Sequence, residues 1–231
     1  MKNNKQKKEI KPTTTLVLSG RANSKQNTLV NPPISRGSTV TFKNVKQMRD
    51  SIATKHSQNL TYGRFGSETT FKFEKAITSL EGGYTTVATS SGTSAIIASL
   101  ISTLKNGDHI LMADSAYGAA KFATKNILKK MGIYFTFYNP LIGKNISKLI
   151  QKNTKVIYLE SPGSLTFEMQ DLPLIIDIAK KNKCITIMDN TWATPLYFKP
   201  IKFGVDISIQ SATKYINGHS DSMLGTITAN K

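Results

Sequence analysis

Short apolar runs alternate with helical patterns along most of this chain, and this alternation constrains the fold more than any other feature. The runs are rich in β-favouring side chains, and the segments between them repeat apolar residues at helical spacing. The runs predict strands at residues 85–89, 109–112, 133–137, 156–159, 185–188, 206–210 and 226–228. The segments between them predict helices at residues 69–80, 93–104, 119–131 and 172–182.

This order of elements indicates an α/β fold. We predict a three-layer architecture with a seven-stranded, mostly parallel mixed sheet and helices on its faces. A chain of 231 residues is long enough to bury the core that such a sheet needs. In sheets of this kind ligands bind outside the carboxyl ends of the strands. Those strand ends are therefore where we expect a functional site.

The amino-terminal region lacks the alternation. Residues 1–60 form a predicted N-terminal arm, and its first 12 or so residues are basic and polar, so we expect them to be disordered. Residues 13–60 contain helix-like and extended pieces without a periodic apolar pattern. Residues 61–231 form the predicted ligand-binding domain.

The composition excludes several classes of protein. The 31 basic and 14 acidic residues give a net charge of +17, which attracts nucleic acid in general. The lysines are scattered, however, and no basic stripe with interleaved aromatics accompanies them, so we expect no specific nucleic-acid partner. No apolar run reaches the roughly 18 residues of a membrane span, and no histidine has partners at metal-ligand spacing. These features predict a cytoplasmic protein without a membrane partner or a metal site.

Two residues at predicted strand ends suggest covalent chemistry. Lys214 closes the segment Ser211-Ala212-Thr213-Lys214, directly after the predicted strand 206–210. Burial there would desolvate the lysine, lower its pKa and give an amine that can form a Schiff base. The hydroxyls of Ser211 and Thr213 can donate to a phosphate. Asp189 ends the strand before, where a buried carboxylate needs a partner. A surface lysine and a turn aspartate are the alternative explanations.

Small residues open the predicted helix 93–104. Gly92 and Thr93 follow the strand 85–89, and a small residue at a helix N-terminus lets backbone N–H groups approach a phosphate. An ordinary helix cap would look the same in sequence. The pair is therefore a candidate phosphate site.

These segments resemble the pyridoxal-phosphate-dependent enzymes of cysteine and methionine metabolism, the trans-sulfuration family, and its cystathionine β-lyase branch in particular. The resemblance is colinear from about Thr14 to the last residue. It is carried by the motifs at residues 62–66, 160–166, 189–195, 211–215 and 218–226. The large domain of that family is itself a seven-stranded mixed sheet of the fold type I transferases. Family members continue into a smaller C-terminal domain, which we expect this chain to lack.

The resemblance implies roles for the candidate residues. Lys214 would bind pyridoxal 5′-phosphate covalently and act as the catalytic base. Asp189 would face the protonated pyridine nitrogen, and Tyr117, also counted as catalytic, would stack on the ring. The residues expected at the phosphate are Gly92, Thr93, Ser211 and Thr213.

Four further residues receive expectations from the resemblance. In related enzymes the residues corresponding to Tyr62 and Arg64 reach across a dimer interface to the neighbouring subunit's phosphate, so a homo-oligomer (dimer or tetramer) is expected. Glu160 is expected to be structural or to lie just behind the cofactor. Trp192 is expected to pack below the cofactor loop.

The function implied by the resemblance is carbon–sulfur β-lysis. L-cystathionine would give homocysteine, pyruvate and ammonia, a step of methionine biosynthesis. The C-terminal domain of the family carries the arginine that binds the substrate carboxylate, so we expect this chain to be impaired alone, or to need a complementing C-terminal fragment. The alternatives are an inactive cofactor-binding remnant of a split gene, or a cystathionine γ-synthase or γ-lyase of the same family.

Overall fold

The computed structural model describes residues 10–21, 29–54 and 57–231. The chain divides into two compact units, Met1–Ala76 and Ile77–Lys231. Residues 1–9, most of the arm predicted to be disordered, lie outside the described residues, and Pro12 already begins the first helix. The domain boundary expected after residue 60 stays a prediction.

The first unit holds little regular structure. The helices at Pro12–Leu18 and Val45–Ala53 bury none of their residues, in agreement with the weak apolar pattern of this region. An extended segment is fixed by Thr69, whose hydroxyl donates to the Pro33 carbonyl at 2.9 Å and accepts the Ser35 N–H at 2.8 Å. The elements are α1 (Pro12–Leu18), α2 (Val45–Ala53), the 3-10 turn Gly63–Phe65 and the start of α3 (Glu68–Glu81).

The second unit is built on a seven-stranded sheet, as predicted. Its strands are β1 (Thr85–Thr89), β2 (His109–Ala113), β3 (Tyr134–Tyr138), β4 (Thr154–Glu160), β5 (Ile185–Asp189), β6 (Ile207–Gln210) and β7 (Gly225–Ala229). Their order is β1-β7-β6-β5-β4-β2-β3, and β7 is antiparallel to both of its neighbours while the other pairs are parallel. Strands β1 to β6 therefore run in one direction, and their carboxyl ends meet at one edge.

Helices cover both faces of this sheet. They are α4 (Gly92–Thr103), α5 (Gly118–Ala123), α6 (Leu172–Lys181), α7 (Thr194–Tyr197) and α8 (Pro200–Phe203), with a 3-10 segment at Gly143–Leu149. No helix among the described residues has the length and apolar character needed to cross a bilayer.

The helix predicted at residues 119–131 is continuous but not regular. After α5 it becomes a π turn, Thr124–Leu128, and then a 3-10 turn, Lys129–Met131. The Thr124 hydroxyl donates to the Ala120 carbonyl at 2.9 Å, and the Asn126 amide donates to the Phe122 carbonyl at 3.0 Å. Side chains that bond the carbonyls of the preceding turn disturb a helix, which its apolar spacing does not reveal.

The strands divide their apolar residues between two core layers. On β2, Ile110 and Met112 pack in the layer that contains α4, whereas Leu111 and Ala113 pack in the layer that contains α6. All four side chains are fully buried. Each large aliphatic side chain buried in this way contributes about 1.5–3 kcal/mol, so the two layers hold the strand ends in fixed positions.

Candidate active site

A cavity of ≈ 1060 Å³ opens where the carboxyl ends of the strands meet. It is formed within the second unit by the segments that follow β1, β2, β4, β5 and β6, in the place expected for this sheet. The predicted residues that line it are Gly92, Thr93, Tyr117, Asp189, Ser211, Thr213 and Lys214. Residues that are far apart in the sequence therefore line one cavity.

The first turn of α4 forms one wall of the cavity. Ser91 caps the helix, since its hydroxyl accepts the Ser94 N–H at 3.1 Å. Gly92 lies against the loop after β6, and a Cβ atom there would be 2.6 Å from the Ser211 Oγ. The N–H groups of a first helical turn have no partners within the helix and attract anions. This wall can therefore bind a phosphate beside the Ser211 hydroxyl.

Asp189 ends β5 at the base of the cavity and is 7% exposed. Its Oδ1 accepts the Thr191 N–H at 3.0 Å. Burial raises the pKa of Asp189, and the hydrogen bonds from Thr191 oppose that rise. None of the ion pairs formed by the described residues includes Asp189. A cationic group in the cavity would stabilise the ionised carboxylate.

Thr191 is a site residue that the sequence did not point to. Its hydroxyl accepts the Ser211 N–H at 2.7 Å, so it joins the segment after β5 to the segment after β6. Its position two residues after Asp189 is the signal that could have identified it, because threonine in such a turn bonds nearby backbone.

Tyr117 and Glu160 meet at a second wall. Tyr117 directly precedes α5, its ring is half exposed, and its N–H donates to Glu160 Oε2 at 2.7 Å. Glu160 ends β4 directly beside Asp189 in the sheet register. Burial and the charge of Asp189 raise the pKa of Glu160 to about 8, against the effects of the Tyr117 N–H and Lys121. The contact joins residues 43 apart and was not predicted.

Lys214 lies on the turn that follows β6, at the cavity wall. The turn is closed by a bond from the Lys214 N–H to the Ser211 carbonyl at 3.0 Å. It is anchored by Thr213, whose hydroxyl accepts the Leu224 N–H at 2.9 Å. The Lys214 side chain is exposed, so the predicted desolvation is not found. The reason is that Lys214 lies four residues beyond the last residue of β6, outside the packed sheet.

Tyr62 and Arg64 belong to the first unit, whereas the cavity is formed within the second. Both residues are exposed, and the Arg64 guanidinium lies 5.8 Å from the centre of the Tyr62 ring. Their expected role at the phosphate of a neighbouring subunit stays a prediction.

The rim of the cavity is apolar and exposed. Trp192 is 56% exposed and meets Phe167 edge to face, with ring centroids 6.0 Å apart. The expectation that Trp192 packs below the cofactor loop stays a prediction; the residue lines the cavity three positions after the end of β5. Among residues 10–21, 29–54 and 57–231 no cluster of His, Cys, Asp and Glu side chains could hold a metal ion.

Comparison with known proteins places the chain in a family. The sequence profile of the Cys/Met metabolism PLP-dependent enzymes matches residues 13–231. This chain belongs to that family. Its cofactor is pyridoxal phosphate, as the motifs predicted.

Individual relatives agree with this assignment. Cystathionine beta-lyase of Escherichia coli is 41% identical over 221 residues, which are 94% of this chain and 55% of that protein. Cystathionine gamma-lyase from Lactobacillus plantarum, solved with L-serine, has 30% identity and a TM-score of 0.86 over 96% of this chain and 55% of its own. A solved Campylobacter jejuni structure with 28% identity and a TM-score of 0.86, over 96% and 55% of the two chains, contains N′-pyridoxyl-lysine-5′-monophosphate. The chain spans about half the length of these relatives.

The cavity fits pyridoxal phosphate in three respects. Gly92 leaves the first turn of α4 open beside Ser211, as a phosphate requires. Asp189 offers a buried carboxylate without an ion-pair partner among the described residues, as a protonated pyridine nitrogen requires. Lys214 brings a primary amine to the same cavity.

Proposed function

We propose that this chain carries the cofactor site of a carbon–sulfur β-lyase that acts on L-cystathionine. The observation that carries the proposal is the meeting of Lys214, Asp189 and the first turn of α4 in one cavity. The 41% identity to a cystathionine beta-lyase supports the choice of substrate. The products would be homocysteine, pyruvate and ammonia.

Each of these residues would have a separate role in the reaction. When bound, pyridoxal phosphate delocalises the electron pair that remains after the substrate Cα loses its proton. Lys214 Nζ would hold the cofactor aldehyde, and once released by the substrate it would take the Cα proton. Asp189 would hold the proton on the pyridine nitrogen. The ring of Tyr117 would cover one face of the cofactor and exclude water from it.

The phosphate of the cofactor would be bound at the first turn of α4. The N–H groups of Gly92 and Thr93 would donate to it from the first turn of α4, where the helix dipole is positive. The Ser211 hydroxyl lies beside Gly92 and would add a donor. The Thr213 hydroxyl, which donates to the Leu224 carbonyl at 3.1 Å, would turn from that carbonyl to the phosphate. We further propose a homo-oligomer in which Tyr62 and Arg64 complete the phosphate site of a neighbouring subunit. A cytoplasmic location stays a prediction.

Pyruvate release from L-cystathionine, with and without added cofactor, tests the proposal. The assay is run with and without a supplied C-terminal fragment of a cystathionine beta-lyase. We expect little release by this chain alone, and with the fragment a faster release that depends on pyridoxal phosphate and is lost in Lys214→Ala. Binding of the cofactor without any release in the presence of the fragment would favour the non-catalytic alternative.

A γ-lyase is the second candidate, because a solved cystathionine gamma-lyase shares this fold at 30% identity. Elimination at the γ carbon would give cysteine and 2-oxobutyrate instead of homocysteine and pyruvate. Identification of the oxo acid therefore separates the two reactions in the same assay. 2-Oxobutyrate without pyruvate would overturn the β-lyase proposal.

A further inference from the structure

The Glu160 side chain forms a hydrogen bond to the backbone of Tyr117 beside the cavity. It is the last residue of β4, and its Oε2 accepts the Tyr117 N–H at 2.7 Å. Tyr117 is the residue that caps α5, and its own side chain makes no capping bond. The carboxyl group of Glu160 is therefore the group that fixes the start of this helix beside the cavity.

The orientation of the Tyr117 ring depends on that backbone contact. The ring is half exposed, and no ring stacking or cation–π contact among the described residues includes it. The χ1 rotamers that a tyrosine can adopt depend on the φ and ψ of its backbone, so a change of the Tyr117 backbone changes the directions open to its ring. Movement of the Tyr117 N–H would carry the ring away from the cavity.

The backbone of Glu160 is itself fixed by hydrogen bonds. The Gln170 side-chain amide donates to the Glu160 carbonyl at 2.8 Å, and the buried Tyr138 hydroxyl donates to the Gln170 Oε1 at 3.1 Å. On the next strand Asp189 lies beside it in the parallel register. A rigid support of this kind is what a contact needs in order to position a neighbouring side chain.

We propose that Glu160 is a positioning residue: its carboxyl group fixes the Tyr117 backbone and so holds the Tyr117 ring against the cofactor. The inference rests on the proposed function, in which that ring covers the cofactor. It assigns to Glu160 a role that acts through Tyr117 rather than by contact with substrate.

The charges around Glu160 predict which replacement is tolerated. The buried position and Asp189 on β5 favour the protonated form, while the Tyr117 N–H and Lys121 on α5 favour the ionised form. Tyr158 on β4 is uncharged at neutral pH, and burial raises its pKa further above the usual value. With a pKa of about 8, Glu160 is largely protonated at neutral pH. A glutamine side chain has the same length as glutamate, carries an acceptor oxygen and is uncharged. An aspartate side chain is shorter by one methylene.

A matched pair of variants tests the proposal through the dissociation constant of pyridoxal phosphate, measured by absorbance at neutral pH. The dissociation constant of Glu160→Gln should be within about twofold of that of the unaltered chain. The dissociation constant of Glu160→Asp should be about 3- to 10-fold higher, as expected from the loss of one hydrogen bond. In a Tyr117→Ala background, Glu160→Asp should have no further effect. Equal binding by Glu160→Asp and the unaltered chain, or a full defect in the Tyr117→Ala background, would overturn the inference.

Amide hydrogen exchange separates this inference from the proposed function, because it needs no cofactor. Exchange of the Tyr117 amide should be faster in Glu160→Asp and unchanged in Glu160→Gln, with the amides of β4 protected in both. Failure of the unaltered chain to bind pyridoxal phosphate would overturn the proposed function. Unchanged exchange at Tyr117 in Glu160→Asp would overturn the positioning contact itself.

Discussion

At the residue scale, the wall of the cavity has no room for a side chain at Gly92. A Cβ atom there would lie 2.6 Å from both the Cβ and the Oγ of Ser211, and 3.0 Å from its Cα. Real Cβ atoms do not approach other atoms so closely, so any side chain would push the first turn of α4 away from the loop after β6. The close approach serves the phosphate site, since it brings helix N–H groups and the Ser211 hydroxyl to the same wall.

Gly92→Ala should therefore weaken pyridoxal phosphate binding by about 5- to 150-fold, because overpacking costs about 1–3 kcal/mol and moves the wall. Gly118→Ala is the matched control, as Gly118 opens α5 and a Cβ atom there meets nothing within 4 Å. Cofactor titration of both variants checks this. Binding that is equally strong in the two variants would contradict the role of Gly92.

Glu81 is a buried carboxyl group that the proposed mechanism does not use. It ends α3 with no exposed surface, and its Oε1 accepts the Gln210 side-chain amide at 2.8 Å. Its Oε2 and the Ser208 hydroxyl have no hydrogen-bond partner among the described residues. Burial raises the pKa of Glu81 to about 7, against the hydrogen bond from Gln210 and the charge of Lys199. The protonated form is thus the one that the fold stabilises.

The free energy of unfolding should therefore fall as the pH rises from about 4.5 to about 7, because the folded chain keeps a proton that the unfolded chain has released. The decline from this residue is on the order of 3 kcal/mol and levels off above pH 7. Urea unfolding at pH 5 and pH 8 should show a smaller decline in Glu81→Gln. Glu68→Gln, at the exposed start of the same helix, should keep the full decline. An unaltered decline in Glu81→Gln would contradict this account.

At the scale of elements, the site depends on how the segment after β5 is tied to the segment after β6. The Thr191 hydroxyl accepts the Ser211 N–H at 2.7 Å, and Thr191 also donates to Asp189. One threonine thus fixes both the carboxylate at the base of the cavity and the start of the Lys214 turn. The parallel pairing of β5 and β6 places the two segments side by side.

Thr191→Val should weaken pyridoxal phosphate binding by about 1–3 kcal/mol, because valine has the same shape but leaves the Ser211 N–H without its acceptor. Thr191→Ser keeps the hydroxyl and should bind almost as the unaltered chain does. Titration with the cofactor compares the two. Equal affinities would show that this bond between the segments does not shape the site.

Much of the fold follows from local sequence patterns. The run at residues 85–89 gives β1 without change, and the start of β5 at Ile185 is also as predicted. These segments are predictable because burial of strands and helices imposes a short period on the sequence. The contacts of Glu160 with Tyr117 and of Glu81 with Gln210 were not predicted, since they join residues 43 and 129 positions apart. The exposed position of Lys214 depends likewise on how the turn leaves the sheet.

At the scale of the whole molecule, the proposed oligomer makes cofactor binding depend on assembly. If Arg64 reaches the phosphate of a neighbouring subunit, Arg64→Ala should weaken pyridoxal phosphate binding by about 1.5–3 kcal/mol, the range for a charged hydrogen bond. Arg36→Ala, which removes another exposed arginine of the first unit, is the control. Cofactor titration over a dilution series, with sedimentation to record assembly, tests this. Tight binding by a monomer, unaffected by Arg64→Ala, would refute the shared site.

The central claim is that Lys214 binds pyridoxal phosphate within the cavity at the carboxyl ends of the strands. Borohydride reduction of the chain with the cofactor, followed by peptide mapping, tests it most directly. We predict one stable pyridoxyl group on Lys214, formed at stoichiometric cofactor and absent from Lys214→Ala. Label spread over the many surface lysines, or labelling that is unchanged in Lys214→Ala, would contradict it.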